Sequence, residues 1–77
     1  MDKNVFLANF ANQFEDTDSK DITFGTKFHD LEEWGSIIGM MLIAMAKTEY
    51  NKTITGAELK ECETVEDVYQ LIDSKQC

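Results

Sequence analysis

From Ser36 to Tyr50 the chain is apolar on nearly every side of the helix it predicts. Ile37, Ile38, Met40, Met41, Leu42, Ile43, Ala44, Met45 and Ala46 are interrupted only by Gly39. Such a helix is either central to a core or carries an apolar strip for a partner, and both can hold at once. At about 100° per residue, Leu42, Ile43, Ala46 and Tyr50 gather with Gly39 on one side, the predicted core face. Ile37, Met41, Ala44 and Thr48 gather on the other, the predicted contact face. The alternative is that neighbouring helices cover both. A chain of 77 residues has room for one domain, read here as 1–77, with a limited core to use efficiently. It has no proline and only four glycines, so long helices are permitted.

The remaining elements follow from periodicity and capping. Leu7, Phe10, Ala11 and Phe14 recur at the i, i+3, i+4, i+7 spacing of one helix face, with Phe6 beside them. They predict a first helix from about Asn4 to Phe14. Aspartate, threonine and serine then compete for the backbone, so Glu15 to Glu33 reads as a long ordered loop pinned by Ile22, Phe24, Phe28 and Leu31. A loop of that length in a small domain has a reason to exist: here, to cross the bundle and deliver residue 36 to an exposed helix start. Thr55 with Glu58 forms a capping box that opens a short third helix, to about Lys60. Thr64 with Asp67 is a weaker box opening the last helix, to about Ser74. There Val65, Val68, Tyr69 and Ile72 form the apolar stripe, with Leu71 alongside. The predicted fold is all-α: a small four-helix bundle, three helices long and one short, with the long loop between the first two.

Charge narrows the function. Fifteen acidic residues against seven basic ones give a net charge of -8 and a pI near 4.3. Such a surface repels nucleic acid and anionic membranes and attracts proteins with basic docking patches. Solubility alone is the plainer reading of the same number. No stretch approaches the roughly 20 apolar residues of a membrane span, and MDKNVFLANF lacks a cleavage-site pattern, so neither membrane insertion nor a signal peptide is expected. Cys62 and Cys77 make no disulfide framework, which fits a reduced, cytoplasmic setting.

Several motifs are set aside. Asp16 to Asp21 begins like a calcium loop but carries Asp21 where glycine is required and Lys27 where the closing glutamate is required. His29 stands apart from any cysteine pattern and reads as an ordinary surface or loop residue. Cys62 has no base pattern to make it a nucleophile. Adjacent Glu32 and Glu33 cannot face each other as an acid–base pair. Trp34 reads as a packing anchor. No catalytic residue and no metal site is expected.

The informative stretch is Phe28-His29-Asp30-Leu31-Glu32-Glu33-Trp34-Gly35-Ser36-Ile37. It resembles the modification site of acyl carrier proteins, in which a phenylalanine and a leucine precede a tryptophan or similar residue, then an aspartate, the modified serine and a leucine. Tyr50-Asn51-Lys52-Thr53-Ile54-Thr55 is similar to that family's turn after helix two, and Thr64 to Ile72 to its final helix. The resemblance spans nearly the whole chain. It departs in two places: Gly35 stands where the family has the aspartate that helps the modifying enzyme dock, and the usually acidic start of helix two is held by Ile38, Met40 and Met41.

The resemblance implies a discrete, monomeric acyl carrier that is not itself an enzyme. Ser36 would bear 4'-phosphopantetheine as a phosphodiester, with an acyl group as a thioester on its thiol. The partners implied are a phosphopantetheinyl transferase and enzymes that load and process the acyl group. Phe6, Leu42, Ala46 and Val68 would help form a core able to open around the chain. Gly35, Ile37, Met40, Met41 and Ala44 would meet partners through a surface more apolar than is usual, with methionine giving adaptable contact. A helix start suits a phosphate on Ser36, because its N–H groups are free and partly positive. The plainer reading is that Ser36 only caps the helix. Two rival functions stand beside the carrier: an unmodified protein-interaction module on the same fold, and an unrelated helical binding domain.

Overall fold

The computed structural model describes residues 2–75. Among these residues four α-helices follow one another: α1 (Lys3–Ala11), α2 (Ser36–Tyr50), α3 (Gly56–Glu61) and α4 (Val65–Ser74). No strand occurs among the described residues. The architecture is a small helical bundle in which α1 packs on α2 and α4, and α2 packs on α3.

The helix starts are written in local chemistry. The Asp2 carboxylate accepts hydrogen bonds from the N–H groups of Asn4 and Val5. Thr55 and Glu58 close a capping box before α3, and Thr64 and Asp67 close another before α4. α2 ends at Asn51, whose φ of 54° is left-handed, a conformation asparagine tolerates better than most residues.

α1 stops at Ala11, short of the expected Phe14. The N–H groups of Gln13 and Phe14 bond three residues back, to Phe10 and Ala11, so the chain tightens into a turn that still buries Phe14. The 15–33 connection is not plain loop either. It contains two single turns of 3-10 helix, Ser19–Asp21 and Phe28–Asp30. Asp18, from the calcium-like stretch, caps the first by accepting from Lys20 N–H. Ile22 and Phe28 are buried as expected, while Phe24 and Leu31 pack at the margin of the core.

The core gathers Phe6, Phe10, Phe28, Leu42, Ala46, Val65, Val68 and Ile72, all essentially without exposure. Aromatic rings run through it: Phe10 meets Phe28 edge-on at 5.6 Å, and Phe28 meets Trp34 edge-on at 5.0 Å. The buried face of α2 is rotated by roughly 60° from the predicted one, at about 100° per residue. It comprises Ile38, Gly39, Leu42, Met45 and Ala46, whereas Ile43 and Tyr50 are only half-buried. Ile43 faces an open groove whose other wall is Gly56, Ala57, Leu59 and Lys60, and Tyr50 lies against Phe6 and Asn9 of α1 at the margin of the core.

Candidate functional site

The segment before α2 is anchored twice and then released. Trp34 packs its indole against Phe28 and His29, with ring centroids 5.0 and 4.7 Å away. One residue earlier, Glu33 turns to the loop that follows α1. Its carboxylate accepts hydrogen bonds from the N–H groups of Glu15 (2.7 Å), Asp16 (3.0 Å) and Thr17 (3.0 Å), and from the Thr17 hydroxyl (3.0 Å). Partial desolvation pushes the Glu33 carboxyl up, but these donors together outweigh it and hold the group below its ordinary value. Gly35 then runs fully extended, with φ -174° and ψ -177°, and is the N-cap of α2.

Ser36 is therefore the first helical residue, not the cap. It is exposed, and its hydroxyl makes no hydrogen bond among the described residues. Gly35 offers no side chain to cap the helix. The N–H groups of Ser36, Ile37 and Ile38 likewise find no protein acceptor among the described residues, and intrahelical bonding begins with Gly39 N–H to Gly35 C=O at 3.0 Å. Three partly positive donors thus stand beside a free primary hydroxyl.

Ser36 lies on the rim of a groove of about 600 Å³ between α2 and α3. Trp34, Gly39, Met40, Ile43 and Leu59 supply apolar lining, and Lys60 contributes an ammonium. Gly56 and Ala57, at the start of α3, form part of the groove's opposite wall. Periodicity alone assigns Ile43 to the core and does not reveal it.

The predicted contact residues divide. Ile37 is 73% exposed and Met40 68%, and Ala44 is exposed beside them on one stripe of α2. Met41 and Gly35 are half-buried. Ile38, which stands with Met40 and Met41 where the resemblance has an acidic helix start, is buried in the core because it faces inward with Leu42 and Met45. Asp30, Glu32 and Glu49 carry exposed carboxylates before and after the stripe.

His29 is not an ordinary surface residue. Its Nε2 lies 2.9 Å from the carbonyl oxygen of Cys62 and 3.4 Å from that of Leu59. A carbonyl only accepts, so Nε2 carries the hydrogen and clasps the end of α3 to the loop. The Cys62 thiol is buried, and burial, with the charges of Asp67, Glu58 and Glu61, pushes its pKa up, away from nucleophilic use. Cys77 lies outside the described residues. Among the described residues no three histidine, cysteine or acidic side chains converge as a metal cluster, and no helix is long and apolar enough to cross a membrane.

Comparison with known proteins adds no relative: no family model, no curated protein and no solved structure matches this chain.

Proposed function

We propose that the chain is a carrier protein of acyl-carrier type, bearing 4'-phosphopantetheine on Ser36 and presenting a thioester-bound acyl group to partner enzymes. The observation that carries this reading is the exposed, unbonded hydroxyl of Ser36, at the one α-helix start among the described residues without a side-chain cap. A phosphodiester there would meet the unpartnered N–H groups of α2, which favour an anion. The order of helices, the long connection before the serine and the stretch from Phe28 to Ile37 agree with the resemblance. The role asks for no chemistry from the protein itself: tethering raises the local concentration of the cargo at each partner's active site. Ile37, Met40 and Ala44 form the exposed strip that partners would meet, flanked by acidic residues that suit a basic rim.

A second reading keeps the same fold and contact strip without modification. The exposed Ile37 and Met40 favour it, because a strip of that kind serves a dedicated protein partner equally well.

Intact mass after incubation with coenzyme A and a broad-specificity phosphopantetheinyl transferase separates the two. The carrier reading expects one phosphopantetheine adduct, absent in Ser36→Ala, with the variant as stable as the parent. A folded protein that takes no adduct from any transferase overturns it and leaves the interaction module.

A further inference from the structure

We propose that Glu33 is a positioning residue for Ser36: its carboxylate ties the start of α2 to the loop that follows α1 and so holds the serine out for modification. The inference rests on the carrier reading for its functional part and on geometry for the rest. Other carboxylates of the chain cap the backbone locally: Asp2, Asp18, Glu58 and Asp67 accept from N–H groups no more than four residues away. Glu33 instead reaches residues sixteen to eighteen positions back and takes four donors at 2.7–3.0 Å. Hydrogen bonds to a charged acceptor are the stronger kind.

This tie bears directly on the next three residues of the chain. Glu33 is bound on one side and Trp34 is packed on the other, with Trp34 N–H closing a turn onto Leu31 C=O at 3.0 Å. Gly35 comes next, extended, with open space where a side chain would be. Glycine adds no stiffness of its own, and α2 has no side-chain cap, so the chain that enters Ser36 is directed by the residues before Gly35, while buried Ile38 and Gly39 seat the helix after it. With Glu33 released, the indole of Trp34 would be the main side-chain anchor left on the upstream side. Glutamine at this position keeps one acceptor oxygen but turns an NH₂ group toward N–H donors, so it should loosen the tie in part.

The test compares Glu33→Ala and Glu33→Gln with the parent by amide hydrogen exchange and by transferase kinetics. Exchange at Glu15, Asp16, Thr17, Trp34 and Gly39 should rise by about tenfold or more in Glu33→Ala, the scale of one charge-assisted hydrogen bond. Glu33→Gln should lie between, and protection of α4 should be unchanged. In phosphopantetheine transfer, KM for the protein substrate should rise with kcat retained, because the hydroxyl is less often correctly placed but its chemistry is intact. Unchanged exchange at Trp34 and Gly39 in Glu33→Ala overturns the proposal, as does a loss in kcat alone. Should Glu33→Ala not fold, Thr17→Val, which removes one of the four donors, decides the same question at smaller amplitude. If the parent accepts no adduct, the carrier reading fails, and the exchange data alone decide whether Glu33 positions this segment.

Discussion

At the start of α4 the first three N–H groups are all taken. Val65 donates to Thr26 C=O at 3.2 Å, Glu66 to Phe24 C=O at 3.0 Å, and Asp67 to the Thr64 hydroxyl at 3.3 Å. At the start of α2 the same three positions, Ser36, Ile37 and Ile38, find no acceptor among the described residues. One helix start is closed by its own sequence and by the long loop, while the other is held in place from outside, by Trp34 on Phe28 and Glu33 on residues 15–17, with its donors left free. Local capping and tertiary anchoring are thus alternative ways to fix a helix end, and only the second leaves the end available to a ligand. That difference is why α2, and not α4, is the candidate site.

The largest break in this contrast should come from Phe28→Ala. Phe28 has no exposure and supports both Phe10 and Trp34. Truncating a buried phenylalanine costs about 3–5 kcal/mol, a large part of the roughly 5–15 kcal/mol that holds a small domain together. Urea denaturation monitored by the fluorescence of Trp34 should show a collapse of the unfolding midpoint, and a loss below about 1 kcal/mol would mean that α2 is held some other way.

Acid should weaken both kinds of start. Glu33, Glu58 and Asp67 are all held below their ordinary values of 4.5, 4.5 and 3.8. For Glu58 the chief cause is the hydrogen bond from Lys75, and for Asp67 it is the N–H of Thr64. Each group therefore binds its proton more tightly in the unfolded chain. The stability it contributes is complete above those ordinary values and is lost as pH falls through the lower folded values. Urea midpoints should be level from about pH 7 to 5 and decline below. In Glu33→Gln the decline should be shallower, since one of the three groups no longer titrates. An identical decline would remove Glu33 from the set.

Removing a single cap should matter less. Thr55→Ala and Thr64→Ala each take away an acceptor from the third N–H of a short helix, which costs about 1 kcal/mol. Denaturation of the two variants should reveal comparable losses, and on the carrier reading phosphopantetheine transfer to Ser36 should be unaffected. A change in modification would show that the ends of α3 or α4 communicate with the start of α2.

Much of the fold was legible in the sequence because it is local. Both capping boxes, the span of α2 and the α4 stripe of Val65, Val68 and Ile72 depend on residues within one or two turns of each other. The features that periodicity misses depend on distant pairs. His29 bonding to Cys62 C=O, and Glu33 bonding to residues 15–17, leave no periodic trace, because each is a single side chain meeting backbone from another part of the chain. The rotated face of α2 belongs to the same class: whether Ile43 or Ile38 is buried depends on how the other helices seat against α2, not on the helix that carries them. The groove beside Ser36 lies on the flank that this seating leaves open.

The smallest expected effect is the most direct probe of the contrast, for it would convert the start of α2 into one like that of α4. Gly35→Asp places a capping carboxylate at a position whose backbone is already extended and where an added Cβ meets nothing within 4 Å. If the N–H groups of Ile37 and Ile38 are free, the new carboxylate should accept from one of them and benefit from the helix dipole. Glycine is itself a tolerable cap, so the gain should be modest, about 0.5–1 kcal/mol, part of it from a less flexible unfolded chain. A Gly35→Ala control isolates that second part. Should aspartate stabilise no more than alanine, the donors are already satisfied and the contrast between the two helix starts is lost. The same substitution supplies the acidic residue that the resemblance expects before the modified serine, so phosphopantetheine transfer to Ser36 should quicken; a slower transfer would mean that the uncapped donors themselves, rather than a charge at residue 35, prepare the hydroxyl.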